Sequence, residues 1–267
     1  MRTIKSLLAV TFTAALALTS LHSAAAQPDA AKPTVVLVHG AFAESSSWNG
    51  VATRLLNQGY PVVAAANPLR GVKQDADYVA DIVEHTAGPV ILVGHSYGGA
   101  VITNAVHDNP RVKALVYVAA FAPDKGETAI ELSGRCPGGT LGPTLAAPVQ
   151  LDDGNKDLYI QQDKFGQQFA ADVPAAESAL MAATQRPISE AALKEASGEP
   201  AWKKLPSWFI YGSADKNIPE AALKFMAERA GSKKTVTVQG ASHVVMTSNP
   251  GKVAELIIEA AQASSKG

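Results

Sequence analysis

Six apolar runs, rich in β-branched residues, recur along this chain, and they limit its fold more than any other feature. They read TVVLVHG from residue 34, YPVVAAA from 60, PVILVG from 89, VKALVYVAA from 112, SWFIYG from 207 and KKTVTVQG from 233. Several lack the polar alternation of a half-exposed strand, so they fit strands covered on both faces. Between them lie segments with helical spacing. SSSWNGVATRLLNQG offers a Ser as N-cap and Gly59 just past its end. KQDADYVADIVEHTAG places Val79, Ile82 and Val83 on one face, and GGAVITNAVHDNP is expected to run as a helix to Asn109-Pro110. PEAALKFMAERAG and PGKVAELIIEAAQ follow the last two strands. Strands alternating with helices predict a parallel sheet with helices on both faces. The alternation breaks at about residues 123–205, where CPGGTLGPTLAAP is rich in Gly and Pro and PAAESALMAAT and SEAALKEA read as helices. No clear buried strand is expected there. Because the sheet resumes afterwards, this stretch reads as an inserted cap.

The first residues read differently. MRTIK is basic, LLAVTFTAALALTSL is apolar and HSAAAQ supplies small residues, which together form the pattern of a secretory signal peptide over residues 1–26, cleaved after Ala26. The apolar stretch is short for a membrane span of about 20 residues. Residues 27–267 then form one α/β domain, exported to the periplasm or secreted, with no stable membrane insertion after cleavage. The full chain, 47% hydrophobic, can fill a large core, and its formal net charge of −1, which becomes −3 once the two positive charges of Arg2 and Lys5 are lost with the leader, comes without a Lys/Arg block and points away from nucleic acid. The one cysteine, Cys136, allows no internal disulfide and reads as a free loop thiol.

Ligands of open α/β sheets sit beyond the carboxyl ends of the strands. His39-Gly40-Ala41-Phe42 follows the first strand, and Gly94-His95-Ser96-Tyr97-Gly98 follows the third. Ser213-Ala214-Asp215 follows the fifth and Ala241-Ser242-His243 the sixth. A serine, an acid and a histidine thus reach one edge from three strands. In G-x-S-x-G the serine occupies a strained strand-to-helix corner, and Gly94 and Gly98 keep that corner open. Ser96 is the candidate nucleophile, His243 its base and Asp215 the partner of the imidazolium. The backbone N–H groups of Ala41 and Tyr97 are the candidate oxyanion hole, and Phe42 and Phe121 candidate substrate contacts. Asp124 is the rival acid, expected to be satisfied by Lys125 or by solvent. His95 reads as structural, turned into the fold. His85 and His107 fall late in helices, where a cation suits the dipole. Trp48, Trp202 and Trp208 read as packing residues. No His-x-x-x-His or paired-Cys pattern calls for a metal, and no cofactor is implied.

VLVHGA, VGHSYGG, ADKNIP and GASHVVMTSNP make the chain resemble the α/β-hydrolase superfamily, and within it the group of plant methylesterases and hydroxynitrile lyases. The resemblance implies the α/β-hydrolase fold with a mostly parallel sheet of about six strands. It carries Ser96, Asp215 and His243 over as the triad, with Ala41 and Tyr97 as oxyanion donors. It also implies a serine hydrolase cleaving a small-molecule carboxylic ester; oligomeric state is left open. Two other readings stand beside it: a hydroxynitrile lyase-like C–C lyase, and a ligand-binding protein on a hydrolase scaffold. The resembling lyases carry Lys directly after the catalytic His and Thr in place of the Gly of HG, where this chain has Val244 and Gly40. The leader reading predicts that N-terminal sequencing of the exported protein begins at Gln27; a cytoplasmic chain retaining Met1 contradicts it.

Overall fold

All six apolar runs pair into one sheet. The computed structural model describes residues 32–106 and 108–265; the leader, its cleavage site and His107 lie outside the described residues. In chain order the first half comprises β1 (Thr34–Val38), α1 (Asn49–Asn57), β2 (Val62–Ala65), α2 (Val72–Glu84), β3 (Val90–His95), α3 (Tyr97–Asn104) and β4 (Val112–Val118). The strand order is β2-β1-β3-β4-β8-β9, where β8 is Ser207–Gly212 and β9 is Lys234–Val238, and every neighbouring pair is parallel. β1, β3 and β8 are buried at every position, as unalternated runs require. The chain steps outward from β1 to β2 and then returns past β1 to β3. The loops leaving β1 and β3 therefore diverge, and a crevice opens between them at the carboxyl edge.

Helix α1 packs on α10 (Pro250–Ser264), which lies across β3, β4 and β8, while α2 packs on α3. Two local expectations change. The helix after Ser96 stops at Asn104, short of Asn109-Pro110. The Asn104 side chain bonds the Ala100 carbonyl and reaches Ser197 and Gly198, and Asn109 closes its own turn by accepting from Arg111 N–H at 2.9 Å. Side chains that bond nearby backbone compete with the helical ladder. At the start of the first helix, residues Ser45–Trp48 form a 3₁₀ turn whose N-cap is Glu44, not a serine; Glu44 N–H donates to Ser47 Oγ.

Between β4 and β8 lie α4 (Ala129–Gly134), β5 (Val149–Gln150), β6 (Lys156–Leu158), α5 (Gln162–Phe169), α6 (Ala175–Thr184), β7 (Ile188–Ser189) and α7 (Glu190–Lys194). Contrary to expectation this stretch does contain strands: β5, β6 and β7 form a small antiparallel sheet. Strands of two or three residues carry no readable alternation. Arg70, after β2, ties that sheet down, with Nη1 on Asp157 Oδ1 at 2.7 Å and Nη2 on the Pro187 carbonyl, and Ser189 N–H donates to the Leu69 carbonyl. After β8 come α8 (Glu220–Arg229), β9, α9 (Val245–Ser248) and α10. Trp48, Trp202 and Trp208 are all buried, as expected. Cys136 follows α4 as a half-buried free thiol.

One ion pair fastens the start of this insertion to α8. Arg229 grips both Glu127 oxygens at 2.7 Å and also donates to the Ala122 carbonyl. The guanidinium holds the Glu127 carboxyl below its usual range. A depressed carboxyl stabilises the fold fully above the unfolded value of about 4.3, and that contribution fades as pH falls through the folded value. Glu127→Gln should therefore lower Tm at pH 7 and leave it nearly unchanged below the folded value. Thermal melts of both proteins from pH 7 down to pH 3 check this; an equal offset throughout would contradict it.

Candidate active site

Ser96 stands where β3 turns into α3, with φ 54° and ψ −123°. A non-glycine residue avoids this region unless its surroundings force it there. Three bonds hold it: its N–H donates to Val118, and its carbonyl accepts from Gly99 at 2.9 Å and Phe121 at 3.1 Å. The corner has no room for side chains at its flanks. A Cβ on Gly98 would lie 2.4 Å from the Val38 carbonyl oxygen, and one on Gly40 would lie 2.6 Å from Ser96 Cβ and 3.0 Å from Tyr97 N. The loop after β1 therefore passes directly against the serine. Asn67 fixes it by donating to the His39 carbonyl at 2.8 Å, and Phe42 N–H donates to the Arg186 carbonyl. Tyr97 N–H, at the first helical position, has no carbonyl one turn back. Like the N–H of Ala41, it meets no acceptor among the described residues. The Tyr97 hydroxyl is anchored at depth on Asp75 at 2.9 Å.

Asp215 and His243 meet as the sequence predicts. His243 Nδ1 donates to Asp215 Oδ2 at 2.7 Å, and both side chains are sealed from solvent. The other Asp215 oxygen accepts from the N–H groups of Asn217 and Ile218, so the carboxylate is held on both oxygens. The two loops close on each other where Ala214 N–H donates to Ala241, and Gly212 carries no side chain because the Ala241 carbonyl fills that space. Ser96 Oγ and the imidazole share no hydrogen bond among the described residues; such contacts commonly tighten only as substrate seats.

Asp124 is not a partner of this histidine. It accepts from Lys203 Nζ and from the N–H of Lys125. Lys203 is thus its cation, where the sequence pointed to Lys125 or solvent; the Lys125 ammonium pairs with Glu199 instead. His95 turns inward as expected. Its ring lies 4.8 Å from that of His243, and its Nε2–H donates to the His243 carbonyl at 3.1 Å. Burial, with the His243 charge second, keeps it far below the usual imidazole range. Burial likewise pushes His39 down to about 4. His85 follows the end of α2, with its Nδ1 on the Asp81 carbonyl.

A cavity of about 500 Å³ opens above Ser96, bordered by Ala41, Phe42, Tyr97 and Phe121, all of which the sequence had singled out. The remaining wall comes mainly from the insertion, including Ile130, Leu141, Leu145, Leu158, Phe169 and Leu193. Among the described residues, no lysine, arginine or histidine lines it, and Glu190 is its one acid. Sequence reasoning missed Phe169, whose ring contacts those of Phe42, His95 and His243. The signal was there: Phe165 and Phe169 stand four apart in the otherwise polar QDKFGQQF.

A profile described as the alpha/beta hydrolase family matches residues 35–256, from the second residue of β1 through the insertion and β9 into α10. The chain belongs to the alpha/beta hydrolase family. Among curated members, the α-hydroxynitrile lyase of Arabidopsis thaliana is 26% identical over 240 residues, covering 82% of this chain and 93% of its own length. Salicylic acid-binding protein 2 of Nicotiana tabacum is 25% identical over 253 residues, covering 85% and 96%. Among solved structures, polyneuridine aldehyde esterase superposes with a TM-score of 0.74 at 18% identity, covering 85% of this chain and 98% of that one. The steric account of the corner predicts that Gly98→Ala displaces the end of β1 or prevents folding. Gly134→Ala, where an added Cβ meets nothing, should be neutral or raise stability by up to about 1 kcal/mol. Thermal melts of the two variants distinguish them.

Proposed function

We propose that this hydrolase cleaves neutral, apolar carboxylic esters through an acyl-enzyme on Ser96. The observation that carries the reading is Ser96 itself, a non-glycine residue in a strained left-handed corner on the floor of an apolar cavity. Strain of order 1–3 kcal/mol persists only where the surroundings over-determine it, and such sites cluster where chemistry occurs. His243 takes the Ser96 proton as Oγ adds to the ester carbonyl. Asp215 holds the imidazole in the required tautomer and faces the imidazolium. The N–H groups of Ala41 and Tyr97 donate to the oxyanion of the tetrahedral intermediate; one such donor is worth about 3–4 kcal/mol of barrier. The imidazolium then protonates the leaving alcohol, and water, activated by His243, releases the acid. Ser96, Asp215 and His243 are thus the proposed catalytic residues, with Phe42 and Phe121 as substrate contacts. The wall is apolar, and its acid, Glu190, is already paired with Lys194 at 2.9 Å, so the cavity favours uncharged esters over those bearing a second carboxylate.

Against lyase chemistry stand two positions. Val244 is fully buried and brings no ammonium beside His243, and any side chain at position 40 would meet Ser96. A role in binding alone is separated by turnover. The leader pattern of residues 1–26 supports export to the periplasm or beyond.

Wild-type protein should turn over p-nitrophenyl esters repeatedly and take a fluorophosphonate label, and Ser96→Ala should lose both. Asp215→Asn should lower kcat by about 10⁴ with the fold intact, while Asp124→Asn should cost less than about tenfold. Steady-state kinetics with circular dichroism measure these; labelling without turnover would favour the binding reading, and a large loss in Asp124→Asn alone would reverse the acid assignment.

A further inference from the structure

The insertion reaches the turn that carries the acid and packs on the ring of His243, as well as forming the cavity wall. At the end of α5, Gln168 is buried and uses its whole amide. Its Nε2 donates to Asn217 Oδ1 at 2.7 Å and to the Lys216 carbonyl at 3.0 Å, and its Oε1 accepts from Thr140 Oγ1 at 2.9 Å. Asn217 in turn gives its N–H to Asp215 Oδ1 at 2.8 Å. Four residues after Gln168, Asp172 accepts from Ser242 Oγ at 2.5 Å, and Ser242 immediately precedes His243. Between the two, Phe169 sets its ring 5.1 Å from the His243 ring at 61°. One short segment therefore grips the turn that carries Asp215 and the loop that carries His243, and packs against the imidazole itself.

We propose that Gln168 and Asp172 are positioning residues, which hold the turn of Asp215 and the loop of His243 in register so that the His243–Asp215 bond has a single geometry. The kinetic consequence rests on the hydrolase reading above; the geometric one does not. Neither residue reaches the cavity or the reacting atoms, so both act through the groups they hold. The physical ground is that the two loops come from neighbouring strands, and beyond the strand ends only a few loop-to-loop bonds keep them together. A misplacement of about 1 Å at a reacting centre can cost about a hundredfold in rate.

The test uses the full chain and three variants. Gln168→Leu removes both donors at similar volume. Asp172→Ala removes the acceptor of Ser242, and because Asp172 is exposed the change leaves the core untouched. Asp172→Asn keeps an oxygen that can accept. The measurements are kcat and KM on a p-nitrophenyl ester, circular dichroism, and the low-field proton resonance of His243 Nδ1–H.

Gln168→Leu and Asp172→Ala should each lower kcat about ten- to a hundredfold with KM within about threefold, and broaden or abolish the resonance. Asp172→Asn should restore both. In an Asp215→Asn background, Gln168→Leu should add less than about twofold, because its effect passes through the carboxylate already removed. Folded Asp172→Ala with kcat within about twofold of wild type and an intact resonance would overturn the proposal even if Gln168→Leu does not fold. A full additional loss in the Asp215→Asn background would overturn it too. If the wild type turns over no ester, the hydrolase reading fails, and the resonance in Asp172→Ala still decides the tether.

Discussion

Backbone crowding at the carboxyl ends of β1 and β3 is the constraint on which the site depends. Gly98 lies against the Val38 carbonyl, Gly94 against Gly98, and Gly40 against Ser96. With no side chain in these gaps, α3 can start directly beneath the loop of β1. That closeness sets position 40 against Ser96 and the Tyr97 nitrogen, with Ala41 and Tyr97 both bordering the cavity, where Ser96 holds its unusual dihedral angles. The parallel order of the sheet sets the same condition from outside, because only at the reversal between β1 and β3 do the two loops diverge enough to leave a crevice.

Polar seams join the insertion to this frame. Arg70 and the Leu69 carbonyl receive β6 and β7, Asn104 receives the stretch before β8, and Gln168 with Asp172 reaches the loops beyond β8 and β9. Apolar side chains fill the space between and form the cavity. This division has a physical basis: burial is non-directional and supplies adhesion, whereas hydrogen bonds to backbone carbonyls fix orientation.

The sheet was legible because its strands are continuous runs rich in β-branched residues, with β1, β3 and β8 buried throughout, and Ser96, Asp215 and His243 were legible because each follows a strand within a few residues. The insertion was not. Its strands are too short to show alternation, and nothing in the spacing of Gln168 or Asp172 marks them, because their partners lie dozens of residues away. Lys203 was missed as the partner of Asp124 for the same reason. The early end of α3 escaped notice because Asn104 spends its side chain on the insertion, a tertiary demand that local propensity does not register.

The histidines beside His243 bear on how the site handles charge. His95 is a ring's width away and His39 heads the loop of β1, yet both are kept neutral near pH 7 by burial. Had either carried a proton, a standing positive charge would oppose each one arriving at His243. Their neutrality leaves Asp215 as the charged side chain that His243 contacts among the described residues. In the proposed reaction, the aromatic enclosure around His243 thus serves as an insulator, in which charge can appear for the lifetime of an intermediate and leave without competition.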